Sequence, residues 1–175
     1  DLNLISDNYH NRSYKNPEMI IDKLSNRTHQ IAALIQLQGG ARLEGVALIK
    51  YEQLKGFKID SITNLEKGII ETKEKGGKVG DIMIDPNIYC ELQEFFIKNT
   101  KKNFKVNYQK YTADIKNACL LCNEIPESTH SFRWSFAQRR LLDYGKAGYK
   151  YQESLQGVSH EMKHNRADIT THYLG

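Results

Sequence analysis

The sequence predicts a mainly α-helical domain carrying one small three-stranded antiparallel β-sheet. Three features carry that reading. Ile20, Ile21, Leu24, Ile31, Leu34, Ile35 and Leu37 recur near helical spacing. Short segments between positions 57 and 85 are divided by turn residues. From Ser131 onward helical spacing returns.

In chain order, the opening stretch DLNLISDNYHNRSYK is polar and unpatterned, so 1–16 are expected to form a linker or loose terminus before a domain spanning 17–175. Asn16 offers an N-cap with Pro17 at the first helical position. The helix is expected to run to Gly39-Gly40, where glycines stop it. A short second helix, Ala41 to Lys50, follows. Phe57 to Ile62, Gly68 to Glu74 and Val79 to Asp85 read as a meander, split by Asn64-Leu65-Glu66-Lys67 and by Gly76-Gly77. Asp85-Pro86 opens a helix to about Asn99. A basic stretch from Lys98 to Lys110, with five lysines, leads into a helix ending near Asn123. It reads either as a DNA-backbone stripe or as a solvated face. Helices over Ser131 to Tyr144 and Tyr149 to Lys163, then a short turn near Asp168 to Leu174, complete the chain.

With 175 residues, 39% hydrophobic and 26% charged, the chain suits one domain. That length buries roughly 70% of the unfolded surface. Mean hydropathy is −0.61, and no window approaches the roughly 18 apolar residues of a membrane span. The start at Asp1 carries no Met and no signal peptide, as expected of a fragment or processed chain. Three cysteines argue against a disulfide scaffold and fit a reducing cytosol, so a cytoplasmic site of action is expected. The net charge of +4 permits a nucleic-acid partner without requiring one.

Single motifs have ordinary explanations. His160-Glu161-Met162-Lys163-His164 matches the HExxH zinc pattern, with Glu161 as base. The extended form of that motif wants Gly and His where Ala167 and Thr170 stand, and only eleven residues follow His164. Cys119 and Cys122 have no second pair and read as small buried hydrophobes. Lys75-Gly-Gly-Lys78 lacks the order of a P-loop and reads as a hairpin turn. His130 and Arg133, one turn apart, share a helical face. Arg42 is harder to dismiss. It sits in an apolar run with Ala41, Leu43, Val46 and Leu48, where a cation needs a partner or an anion.

Taken in order, Arg42 after a Gly-Gly-Ala turn, Lys75 in a hairpin, His130-x-x-Arg133, His164 and Tyr173 form a series. It resembles the catalytic domain of the tyrosine recombinases, also called the phage integrase family, over about residues 17 to 174. The local texture matches too: Gly-Gly-Ala-Arg-Leu-Glu-Gly, His-Ser-Phe-Arg-Trp-Ser-Phe-Ala with Leu141-Leu142 and Gly145, and His-Asn-Arg-Ala-Asp-Ile-Thr-Thr-His-Tyr. The resemblance implies that family's DNA breaking-rejoining fold and a site-specific DNA recombinase. Tyr173 would form a 3′-phosphotyrosyl link, and Arg42 and Arg133 would clamp the phosphate. Lys75 would act as general acid, while His130 would assist proton transfer and His164 would hydrogen-bond the phosphate. It further implies no cofactor, metal or ATP. The implied partner is double-stranded DNA bearing a recombination site, bound by a homo-tetramer on paired sites, in the bacterial cytoplasm at the nucleoid.

The sequence departs from the family at three places. Lys163 replaces a glycine before the second histidine. Gly45 stands at the acidic position three after Arg42, with Glu44 one earlier, and Lys73 and Lys78 compete with Lys75. Three alternatives remain at this level: a type IB topoisomerase, a DNA-binding relative without cleavage, and a zinc peptidase. The family's amino-terminal core-binding domain is not in this sequence. The chain is therefore expected to fold alone as a monomer and to bind DNA weakly, with affinity falling steeply as salt rises. Nanomolar, salt-insensitive binding in a titration would overturn that.

Overall fold

Asn26 decides the start of the fold. Its side-chain oxygen accepts a 2.8 Å hydrogen bond from the His29 amide, capping a helix where continuous helical spacing predicted none. The computed structural model describes residues 13–73, 79–127 and 130–162. The expected first helix is therefore two, α1 (Pro17–Asp22) and α2 (Arg27–Gly39), with Pro17 opening α1. Ser25 between them donates its amide and hydroxyl to Asp114, and His29 Nδ1 lies 2.6 Å from the same carboxylate.

α2 is the central rod. Ile31, Ala32, Ala33, Ile35, Leu37 and Gly39 are all buried, as expected of a helix surrounded by the core. Its one fully buried amide, Gln36, is satisfied by the Tyr111 hydroxyl at 2.8 Å and by the Ala41 carbonyl. Beyond Gly40, the expected helix from Ala41 to Lys50 is only one turn, α3 (Leu43–Val46). Leu48–Ile49 is instead strand β1, paired antiparallel with Phe104–Lys105, which is therefore β5. β-branched Ile49, fully buried, suits a pleated ribbon better than a helix end.

The expected meander is present: β2 (Leu54–Ile59), β3 (Glu66–Lys73) and β4 (Val79–Ile84), antiparallel in the order β2-β3-β4. β2 starts and ends earlier than expected, with a register shift around Gly56, whose φ is +86°. Ile70, Ile82 and Ile84 face the core. Gly68 lets the sheet close on α4 (Pro86–Lys98), because a Cβ there would meet the Tyr89 ring 2.4 Å away. α5 (Tyr108–Leu121) is capped by Asn107, which accepts from the Lys110 amide. It buries Cys119, as expected, but leaves Cys122, at its C-cap, only partly buried, and exposes Leu120 and Leu121. Part of the basic stretch forms β5.

Two helices close the described chain, α6 (His130–Lys146) and α7 (Tyr151–Glu161). They build a second small core from Phe136, Ala137, Tyr144, Leu155, Val158 and Met162. The segment expected to be a linker is anchored at its described end. Tyr14 is buried, stacks edge-on to Phe132 and donates to the Glu127 carbonyl. No helix among the described residues is long and apolar enough to cross a membrane.

Ile35→Ala removes a fully buried side chain from α2 and should cost about 2–5 kcal/mol. Leu142→Ala, on the exposed side of α6, should stay within about 0.5 kcal/mol. Urea unfolding of both variants checks the assignment of the central helix.

Candidate active site

The turn after α2 is where the site begins. Gly40 has φ +72°, a left-handed conformation, and a Cβ there would lie 2.4 Å from the Phe136 ring. Only glycine lets α6 approach this turn so closely. The approach brings Arg133, three residues before Phe136, onto the same turn. Its Nε donates to the Gly40 carbonyl at 2.7 Å and its Nη2 to the Met162 carbonyl at 2.6 Å. Arg133 is fully buried. Both of these acceptors are main-chain carbonyls, which orient the guanidinium.

Two residues beyond Gly40, Arg42 is partly buried and occupies the N-cap position of α3 with extended backbone. It sits at a helix start rather than within the apolar helix expected from the sequence. Of the expected residues, the fold thus fastens Arg133 to the Gly40 carbonyl, two residues before Arg42. His130 opens α6 one helical turn before Arg133. Lys75, His164 and Tyr173 lie outside the described residues: Lys75 falls between β3 and β4, and the other two follow Met162. The competitor Lys73 is the last residue of β3 and is exposed, while Lys78 also lies outside. At the departures from the family pattern, Glu44 is exposed and Gly45 buried.

A second arginine of α6 was not singled out from the sequence. Arg140 Nη1 and Nη2 donate to Asp60 at 2.7 and 3.0 Å, and its Nε donates to Glu161 at 2.7 Å. Tyr144 donates its hydroxyl to the other Glu161 oxygen. Burial alone would raise the Asp60 carboxyl, but bonds from Arg140, the Ile62 amide and Thr63 outweigh it and bring it down to about 2. Burial raises the Tyr144 hydroxyl, and Glu161 raises it further. One sequence signal could have found this network: Arg133 and Arg140 are seven apart, on one helical face, and two buried cations demand counter-groups.

The network also bears on the zinc reading. Both Glu161 oxygens are engaged by Arg140 and Tyr144, which is not the state of a base poised to activate a water, and His160 is exposed. A cavity of about 380 Å³ between α2, β4 and α6 has six carboxylates against three cationic side chains in its lining. Its field disfavours a phosphate.

No protein-family model matches the chain, and no curated protein matches it significantly. Solved structures do. The XerH site-specific recombinase bound to palindromic difH substrate, in a post-cleavage complex, superposes with TM-score 0.62 at 20% identity, covering 93% of this chain and 48% of that one. The catalytic domain of bacteriophage HP1 integrase gives 0.65 at 16% identity, covering 91% and 84%. The XerH pre-cleavage complex with difH substrate gives 0.62 at 19%, covering 92% and 49%. The chain spans about half the length of XerH and most of the HP1 catalytic domain. Its fold is that of the tyrosine recombinase catalytic domains.

Asp60 is 3% exposed and its carboxyl lies below the ordinary value of 3.8 when folded. The stability it contributes is therefore complete above about pH 4 and lost as pH falls toward 2, about 2 kcal/mol in all. Urea unfolding of the wild type and Asp60→Asn between pH 5 and 2 should show the gap between them closing by about that amount.

Proposed function

We propose that this chain is the catalytic domain of a site-specific DNA recombinase that cuts and rejoins strands through a 3′-phosphotyrosine on Tyr173. The observation that carries the reading is the tyrosine recombinase fold with Arg133 buried at the first turns of α6 and fastened to the Gly40–Arg42 turn. A scissile phosphodiester is an anion that gains charge on its non-bridging oxygens during attack. Two guanidiniums held before the substrate arrives stabilise that charge without reorganising. The N-terminus of α6 adds a favourable field for an anion.

In this mechanism the Tyr173 hydroxyl loses its proton with help from His130 and attacks phosphorus. The bond to the 5′ oxygen breaks, Lys75 protonates that oxygen, and a 5′-hydroxyl leaves. His164 hydrogen-bonds the phosphate. Attack by a 5′-hydroxyl on the phosphotyrosine reverses each step, so the linkage energy is conserved and no ATP is consumed. The arginines supply the positive charge that a metal ion supplies in other phosphoryl transfers. The partner is duplex DNA carrying a recombination site, assembled as a tetramer on paired sites in the cytoplasm.

The test is a denaturation-resistant protein–DNA adduct, formed in EDTA on nicked DNA spanning the ends of the encoding element. The wild type should form it and Tyr173→Phe should not. Arg133→Ala and Arg42→Ala should each slow it by about a hundred- to a thousandfold. Absence of any adduct on a nicked substrate overturns the reading. Relaxation of supercoils without any need for paired sites would assign the same chemistry to a topoisomerase.

A further inference from the structure

Arg133 and Arg140 lie seven residues apart on one face of α6, about two turns or roughly 10 Å, and both are buried. They grip consecutive residues at the end of α7. Arg140 holds the Glu161 side chain and Arg133 holds the Met162 carbonyl. That carbonyl is open to an outside donor because the last carbonyls of a helix have no intrahelical partner. On its far edge Arg140 is held by both oxygens of Asp60. Asp60 is itself oriented by the Ile62 amide at 3.0 Å and the Thr63 hydroxyl at 2.8 Å, in the turn leading to β3. Asp143 lies 3.8 Å from the same guanidinium, and Tyr144 closes the set on Glu161. Contacts thus run without a break from the sheet, through Arg140 and the end of α7, to Arg133.

We propose that Arg140, gripped between Asp60 and Glu161, is a positioning residue that aligns Arg133 for the scissile phosphate by fixing the α7 end whose Met162 carbonyl holds the guanidinium. The inference rests on the recombinase reading above. A buried ion network is a poor source of stability, since apolar replacements of similar volume are often neutral or better. What it supplies is direction, because a two-edged guanidinium fork fixes both distance and plane. The low Asp60 carboxyl keeps that partner ionised at neutral pH.

The experiment compares wild type with Glu161→Gln, which keeps the shape and weakens the grip, and with Tyr144→Phe, which removes one hydroxyl should the first variant fail to fold. Single-turnover adduct formation, DNA affinity and thermal midpoint are measured on a nicked phosphodiester. They are repeated on the same DNA with a methylphosphonate at the scissile position, which lacks one anionic oxygen. The cleavage rate should fall about ten- to a hundredfold while DNA affinity changes by less than about threefold. On the methylphosphonate most of that loss should disappear, since misplacing Arg133 matters less when there is less charge to meet. An unchanged cleavage rate with a lowered midpoint, or an equal loss on both substrates, overturns the proposal and leaves Arg140 purely structural. If the wild type forms no adduct on either substrate, the recombinase reading itself has failed and the positioning role falls with it.

Discussion

A guanidinium with no access to solvent is the constraint around which this domain is arranged. Leaving Arg133 without acceptors would cost several kcal/mol. The chain instead supplies carbonyls from opposite ends of the sequence, Gly40 and Met162, at 2.7 and 2.6 Å. Both are main-chain groups at helix termini, where a carbonyl is left over by the helix itself. The end of α2, the start of α6 and the end of α7 must therefore meet at one point. Carboxylates can hold a buried guanidinium as well.

Arg140 shows that alternative on the same helix. Its guanidinium is surrounded by Asp60 and Glu161, and Asp143 stands close by. Two arginines of one helical face are thus gripped by different groups, main-chain carbonyls of Gly40 and Met162 at Arg133 and the Asp60 and Glu161 carboxylates at Arg140. The close packing that permits both depends on small residues. Gly40 admits the Phe136 ring, and Gly157 admits the ring of Tyr144, whose Cζ would lie 2.6 Å from a Cβ there. These contacts set the distance of α6 from α2 on one side and from α7 on the other.

The helical content and the three-stranded meander were legible because apolar spacing and turn residues are local signals. The elements misread were those where local and tertiary signals diverge. Helical spacing runs through Lys23–Asn26 without interruption, yet Asn26 caps a new helix and Ser25 turns to Asp114 on α5. Ala41 to Lys50 is apolar enough for a helix. Strand β1 forms there because Phe104–Lys105, more than fifty residues later, offers a ladder to Leu48–Ile49. Tyr14 was read with a polar terminus because its pocket, at Phe132 and Glu127, exists only in the folded chain.

By itself the sequence determined the helix-rich class, the meander, the cored Cys119 and an ordered series of Arg42, Lys75, His130, Arg133, His164 and Tyr173. Order along the chain survives any packing, so a series of residue types at matching intervals can be read without coordinates. Tertiary structure alone decided which groups grip each charge. Arg133 and Arg140 look alike in sequence, as do Glu161 in a zinc motif and Glu161 in an ion network. Their difference lies in partners from residues 40, 60, 144 and 162, brought within 3 Å by the closing of α6 on α2 and α7. Electrostatics falls off with distance in space, and distance in space is what a linear pattern does not carry.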